Sequence, residues 1–230
     1  DYVTAFTIIF ELFQEIMAGN RITKGISFGL ALACIWYFGL ALGIPSFFDT
    51  PLEHEIINAF GDALPVLFFG IISGVMLAED NKTPLSRSRK DYLAIFIFII
   101  PLVAIHWFYS FIFTDPTLAT TMAIVVIHTL EQLITIVGLG FLTGILYFIC
   151  SPGIRFQSEM KNNLFFAICI FGGHWIWFNF FFNLLYEGIF LQTMIMAIID
   201  AILVFLTLTI FNKLTATVKT GGERGIAQDP

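Results

Sequence analysis

The chain has 230 residues, of which 58% are hydrophobic and 12% charged, with a formal net charge of −6. Soluble domains carry roughly 25% charged residues, whereas apolar runs of about 20 residues recur along this whole chain, which excludes a soluble globular fold. Nucleic-acid binding is excluded too, because the basic residues lie in a few short loops and the tail and form no stripe.

The first element falls in residues 3–19, VTAFTIIFELFQEIMAG, where about 17 residues are barely enough to cross a bilayer. Thr4, Thr7, Glu11, Gln14 and Glu15 form one stripe at helical spacing. A helix lying in the membrane interface would carry Lys or Arg on such a face, and this one carries acids. It is therefore predicted to be a seventh span, with its N-terminus outside and its polar stripe turned toward the other helices.

Six further spans are predicted at residues 26–48, 56–78, 92–114, 119–149, 163–186 and 189–212. Their apolar runs are continuous and do not alternate, which argues for an all-α transmembrane bundle and against a barrel. Residues 1–214 thus read as one transmembrane helical domain, and residues 215–230, TATVKTGGERGIAQDP, as a polar cytoplasmic tail. GxxxG spacings at Gly39/Gly43, Gly70/Gly74 and Gly140/Gly144 predict close helix packing. Gly172 and Gly173 could permit a bend beside His174. The cysteines, Cys34, Cys150 and Cys169, are widely spaced and read as small buried hydrophobes.

The charges orient the bundle. All 11 basic residues fall before the 26–48 span, in the loops after the 56–78 and 119–149 spans, or after the 189–212 span, which is one side of the membrane. The opposite loops hold Asp49, Glu53, Glu55, Asp115 and Glu187 and no Lys or Arg. The positive-inside rule then places the basic loops and the C-terminus in the cytoplasm.

Counting about 1.5 Å of rise per residue from the outer ends puts His106 roughly 12 Å deep, His128 about 14, Asp200 about 17, and His174 and Glu131 about 18. Asp62 lies roughly 9 Å in. Helical phase places His128, Glu131, Gln132 and Thr135 on one face, His106, Tyr109 and Ser110 on another, and Asn58, Asp62 and Pro65 on a third, with Thr193, Asp200 and Thr207 in a heptad line. A single intramembrane His or Asn most often hydrogen-bonds a neighbouring helix, worth about 0.6–2 kcal/mol. A carboxylate at mid-membrane costs about 2.5–3.5 kcal/mol, which makes Glu131 and Asp200 the stronger functional candidates.

An acid-and-imidazole layer without lysine or arginine should attract cations. The expected activity is binding or conduction of a cation in a plasma or other energy-transducing membrane, with protons first and a transition metal second. The ion- or proton-binding candidates are Glu131, His128, Asp200, His106, His174 and Asp62, and the metal-ligand candidates are His128, Glu131, His174 and Asp200. Two readings of other classes use the same residues: a membrane subunit of a metal-dependent or redox enzyme, and an accessory subunit whose polar seams hold it to its partners. Whether the chain is an enzyme stays open. The partners expected are the lipid bilayer, the cation, and partner subunits or further copies of the chain.

Other chemistries lack their residues. Covalent retinal, as in the seven-helix microbial rhodopsins, needs a lysine one turn after such an aspartate, and Val204 stands there. A two-haem cytochrome needs four membrane histidines, and His54 lies in a loop. HExxH, P-loop and GxSxG motifs are absent.

Overall fold

The computed structural model describes residues 2–15, 17, 19–43, 51–80, 89–112, 130–151, 154, 156–176, 179–180 and 190–224. Every described element is a helix: α1 (Tyr2–Gln14), α2 (Arg21–Gly43), α3 (Leu52–Leu77), α4 (Arg89–Leu93), α5 (Ile99–Ile112), α6 (Leu130–Cys150), α7 (Glu159–Phe165), a π-helical segment (Phe166–Gly172) and α8 (Phe190–Arg224). Three helices are long and apolar enough to cross a membrane, at Glu53–Leu77, Gln132–Cys150 and Met194–Thr215. Large apolar side chains turned outward on them, such as Ile57, Met76, Ile202 and Ile210, suit a lipid surround. The chain is thus an all-helical membrane protein, and the six or seven spans expected from the sequence are met by three among the described residues.

Two of the predicted runs also depart from regular α-helix. The run 92–114 looks continuous by hydropathy, but Pro101 has no N–H for the carbonyl four residues back, and its ring crowds that position. Helix geometry accordingly gives way over residues 94–98, where Ile95 and Phe96 bond only three residues back, to Tyr92 and Leu93. The break separates α4 from α5, whose described part, Ile99–Ile112, is a shorter apolar helix. In the 163–186 run the departure from α-helix falls over Phe166–Gly172 and ends at the glycine pair. A side chain on Gly172 would sit 2.8 Å from the Ala167 carbonyl oxygen and 3.4 Å from Ala201 Cβ, so this glycine lets the widened turn lie against α8.

Helix α1 corrects another expectation. Its 13 described residues reach about 20 Å, and what differs from the expectation is the way its faces turn. Phe6, Phe10 and Phe13 are buried while Thr4, Glu11 and Glu15 are exposed, so the aromatic face turns inward and the acidic stripe outward. Three buried phenylalanines bring a large apolar area, which outweighs what the acids could gain among apolar neighbours. Gln14 is the exception, buried because its Oε1 accepts the Glu79 backbone N–H at 2.8 Å.

Helices α2 and α3 run antiparallel with backbones in direct contact. A Cβ on Gly25 would lie 2.5 Å from the Gly70 carbonyl oxygen, one on Gly29 2.8 Å from that of Leu67, and one on Gly74 2.7 Å from Gly25 Cα. The Gly70/Gly74 spacing therefore does pack, against a second such pair, Gly25/Gly29, that the sequence reading passed over. Gly140 and Gly144 pack in the same way on the backbone of Phe98–Ile99 and Ile95, so α6 receives the broken stretch ahead of α5. The surroundings of Gly39 and Gly43 lie outside the described residues.

One end of the hairpin is clasped by polar groups. Asn20 Oδ1 accepts the Thr23 N–H at 2.8 Å, and Asp80 Oδ1 accepts the Arg21 N–H at 3.0 Å. Two of the N–H groups that the start of α2 leaves open are thereby satisfied. Lys24, fully buried, donates to the Glu79 carbonyl at 2.7 Å. Burial pulls its ammonium below the ordinary lysine range, and Asp80, Glu79 and Glu15 act in the opposite sense.

Candidate functional site

The site is built around Asp200 on α8. Ala197, Ala201, Val204 and Leu208 share its buried face, and the two alanines leave room for a second helix to approach. Asp200 itself has zero exposure. Three side chains from two other segments close on its carboxylate. Trp175 donates its indole N–H to Oδ2 at 2.9 Å, His106 Nε2 lies 3.3 Å from the same oxygen, and Tyr109 donates its hydroxyl to Oδ1 at 3.3 Å.

Each side chain has a local reason to be there. His106 and Tyr109 lie three residues apart on α5, hence on one face, and their rings meet edge-on at 5.4 Å. Trp175 follows the π-helical segment, whose extra residue per turn rotates what comes after it relative to an unbroken α-helix. Phe171 stacks on the indole at 6.4 Å, and Asn179 donates to the Trp175 carbonyl at 2.8 Å. Phe171 thus backs one face of the ring, and the Asn179 bond holds the backbone that carries it.

Unpaired buried carboxylates are costly, and here the charge has a potential counterion in His106 together with two neutral donors. The pair can exist as carboxylate with imidazolium or as acid with imidazole, both neutral overall.

An apolar layer separates this cluster from a second polar group nearer the clasped end. On α8, Val204 and Leu208 are fully buried between Asp200 and Asn212, a separation of about 18 Å. Phe98 stacks on Phe166 at 6.2 Å in the same layer, and Tyr147 meets Phe166 edge-on at 5.0 Å. Beyond it Asn212 donates to Asn163 Oδ1 at 3.0 Å, and Asn163 to Thr209 at 3.4 Å. Lys90 pairs with Glu159 at 3.8 Å and lies over the Phe211 ring, which ties α4, α7 and α8 together at that end.

The structure brings together two of the candidates read from the sequence, His106 and Asp200. His174, also buried, is set instead against Phe6, edge-on at 5.5 Å, and Trp36 at 6.2 Å. Asp62, with Asn58 and Pro65, is exposed on α3. His128 lies outside the described residues, as does the side chain of Glu131, although Glu131 backbone belongs to α6. On the face predicted for those two, Gln132 and Thr135 are buried. Ser110 donates to the Trp107 carbonyl. Among the described residues no group of three or more His, Cys, Asp or Glu is placed to hold a metal ion.

Trp175 was missed in the sequence because a search for ionisable groups treats tryptophan as apolar, although its N–H is a strong donor. Tyr109 shares the His106 face, and that spacing was the available signal. Comparison with protein-family models, with curated proteins and with solved structures gives no match for the chain.

Proposed function

We propose that this is a multi-pass membrane protein that binds and passes protons through Asp200 and His106. The observation that carries the reading is the 3.3 Å approach of His106 Nε2 to Asp200 Oδ2 with both side chains at zero exposure. A carboxylate and an imidazole out of water share protons that bulk solvent cannot reach directly, and such intramembrane pairs mark proton relays. Six membrane crossings, with α1 inserted beside them, and a cytoplasmic basic end and C-terminus belong to the same proposal. It is supported by the one-sided placement of the 11 basic residues.

Proton flux into liposomes containing the purified chain tests it. Asp200→Asn keeps the side-chain shape and His106→Gln keeps a polar group of similar reach, and both are expected to abolish flux while the protein stays folded. Flux that survives Asp200→Asn would remove the proton role.

A second reading is favoured by the number of donors on one carboxylate: Asp200 would be a rivet joining α5, the segment after the π-helix and α8, in an accessory subunit. On that reading no flux is seen and Asp200→Asn changes stability alone. The metal-dependent alternative draws on His128, Glu131, His174 and Asp200, and a stoichiometric metal in the purified protein would favour it.

A further inference from the structure

The outward face of α3 holds a second set of polar groups in a spanning helix, and nothing in the described chain covers it. Asn58, Gly61, Asp62 and Pro65 fall within one arc of the helix, all of them exposed. The face that packs on α2 is the opposite one, through Ala59, Ala63, Gly70 and Gly74. Asn58 and Asp62 have no hydrogen-bond partner among the described residues, although they lie in the apolar stretch Glu53–Leu77. Pro65 adds a third unmet need. In an α-helix the Gly61 carbonyl accepts from residue 65, and proline has no N–H to give. Within hydrocarbon, backbone and side-chain polar groups have to be satisfied by protein.

Gly61 differs from the glycines of the α2–α3 contact, because a Cβ there would meet nothing within 4 Å. Its small size is unused inside the chain and open to a helix from outside. The face also carries its own complement, with the Asn58 amide as donor and the Asp62 carboxyl and Gly61 carbonyl as acceptors. Under a two-fold axis along the membrane normal, two such faces crossing at Gly61 place each Asn58 beside the other copy's acceptors. We propose that this face is the contact between two copies of the chain, with helix α3 of each crossing at Gly61 and Asn58 of each copy donating to Asp62 of the other.

The test is energy transfer between donor- and acceptor-tagged copies of the full chain in lipid vesicles, measured as protein density is varied. Wild-type chain is expected to follow a monomer–dimer isotherm. Gly61→Ile blocks the close approach from an exposed position where a Cβ meets nothing within 4 Å, and Asp62→Leu removes the acceptor while leaving a lipid-compatible side chain. Both variants should fold as wild type by circular dichroism and weaken association about tenfold or more. Ile202→Ala, on the outward face of α8, should leave the isotherm unchanged. The proposal is overturned if the wild-type chain stays monomeric at all densities, as it would if the face served a different protein. It is also overturned if either α3 variant associates like wild type.

Discussion

Asp200 and Asp62 are the same residue in the same kind of sequence, an aspartate within an apolar helix of spanning length, and the fold treats them oppositely. Asp200 has no exposed surface, and His106, Tyr109 and Trp175 close on both of its oxygens. Asp62 faces outward with no partner among the described residues. The neighbours on each helix decide the difference. Ala197 and Ala201 let another segment come close on the Asp200 side of α8, whereas the small residues Gly70 and Gly74 of α3 turn its packing face away from Asp62. A carboxylate in hydrocarbon costs about 2.5–3.5 kcal/mol, so one aspartate is satisfied within the chain and the other requires satisfaction from outside it.

The largest effect expected from that contrast is on the stability of the single chain. Asp200→Leu leaves Tyr109 and Trp175 without their acceptor, and His106 without the carboxylate beside it, in a buried site and should cost about 3–5 kcal/mol. Asp62→Leu should stay within about 0.5 kcal/mol, as outward substitutions do. Denaturant unfolding of both variants in dilute detergent micelles, where copies are separated, measures the difference. Equal losses would erase the distinction between the two sites.

Glycine provides the same contrast at the level of the backbone and a smaller expected effect. Gly70→Ala pushes a methyl group into the backbone of Gly29, and overpacking of this kind costs about 1–3 kcal/mol. Gly61→Ala meets nothing within 4 Å and should gain up to about 1 kcal/mol from helix propensity. Opposite signs in the same unfolding measurement are the expected outcome; a loss at Gly61 in the separated chain would show that its surroundings are already occupied.

These contrasts mark what the sequence can and cannot carry. Depth was legible, because rise per residue is fixed by helix geometry, and it put His106 and Asp200 in one layer. Facing was not, since helical phase gives the angle between residues and leaves open which side the neighbours take. Asp62 and Asp200 therefore read alike. Helix α1 shows the same limit: its stripe was visible at the right spacing, but competition between three phenylalanines and the acids for the interior decided its direction. The Gly70/Gly74 packing was legible because GxxxG spacing acts through local shape, while its partner Gly25/Gly29 straddles the predicted start of the 26–48 span and has the same spacing. Hydropathy also concealed the break ahead of α5, since Pro101 is tolerated by an apolar scale and objects only through its missing N–H and its ring.

The finest test of the Asp200 site ranks its two neutral donors. Trp175→Phe keeps a ring against Phe171 and removes the donor held at 2.9 Å, so the loss reports the hydrogen bond with limited repacking. Bonds to a charged acceptor are worth about 1.5–3 kcal/mol in proteins generally, but double-mutant values inside membranes average about 0.6, and a loss near 1 kcal/mol follows. Tyr109→Phe removes a longer contact, 3.3 Å, from the other oxygen and should cost less, about 0.5 kcal/mol. The order matters more than the values, because it separates the two readings of the site. If Asp200 is a rivet, each loss appears in unfolding and nothing else changes. If Asp200 and His106 exchange protons, Trp175→Phe removes a donor from the oxygen that also faces His106, while Tyr109→Phe acts on the opposite oxygen. The pH dependence of proton flux should then move more for the tryptophan variant than for the tyrosine one, in the same order as their losses in stability.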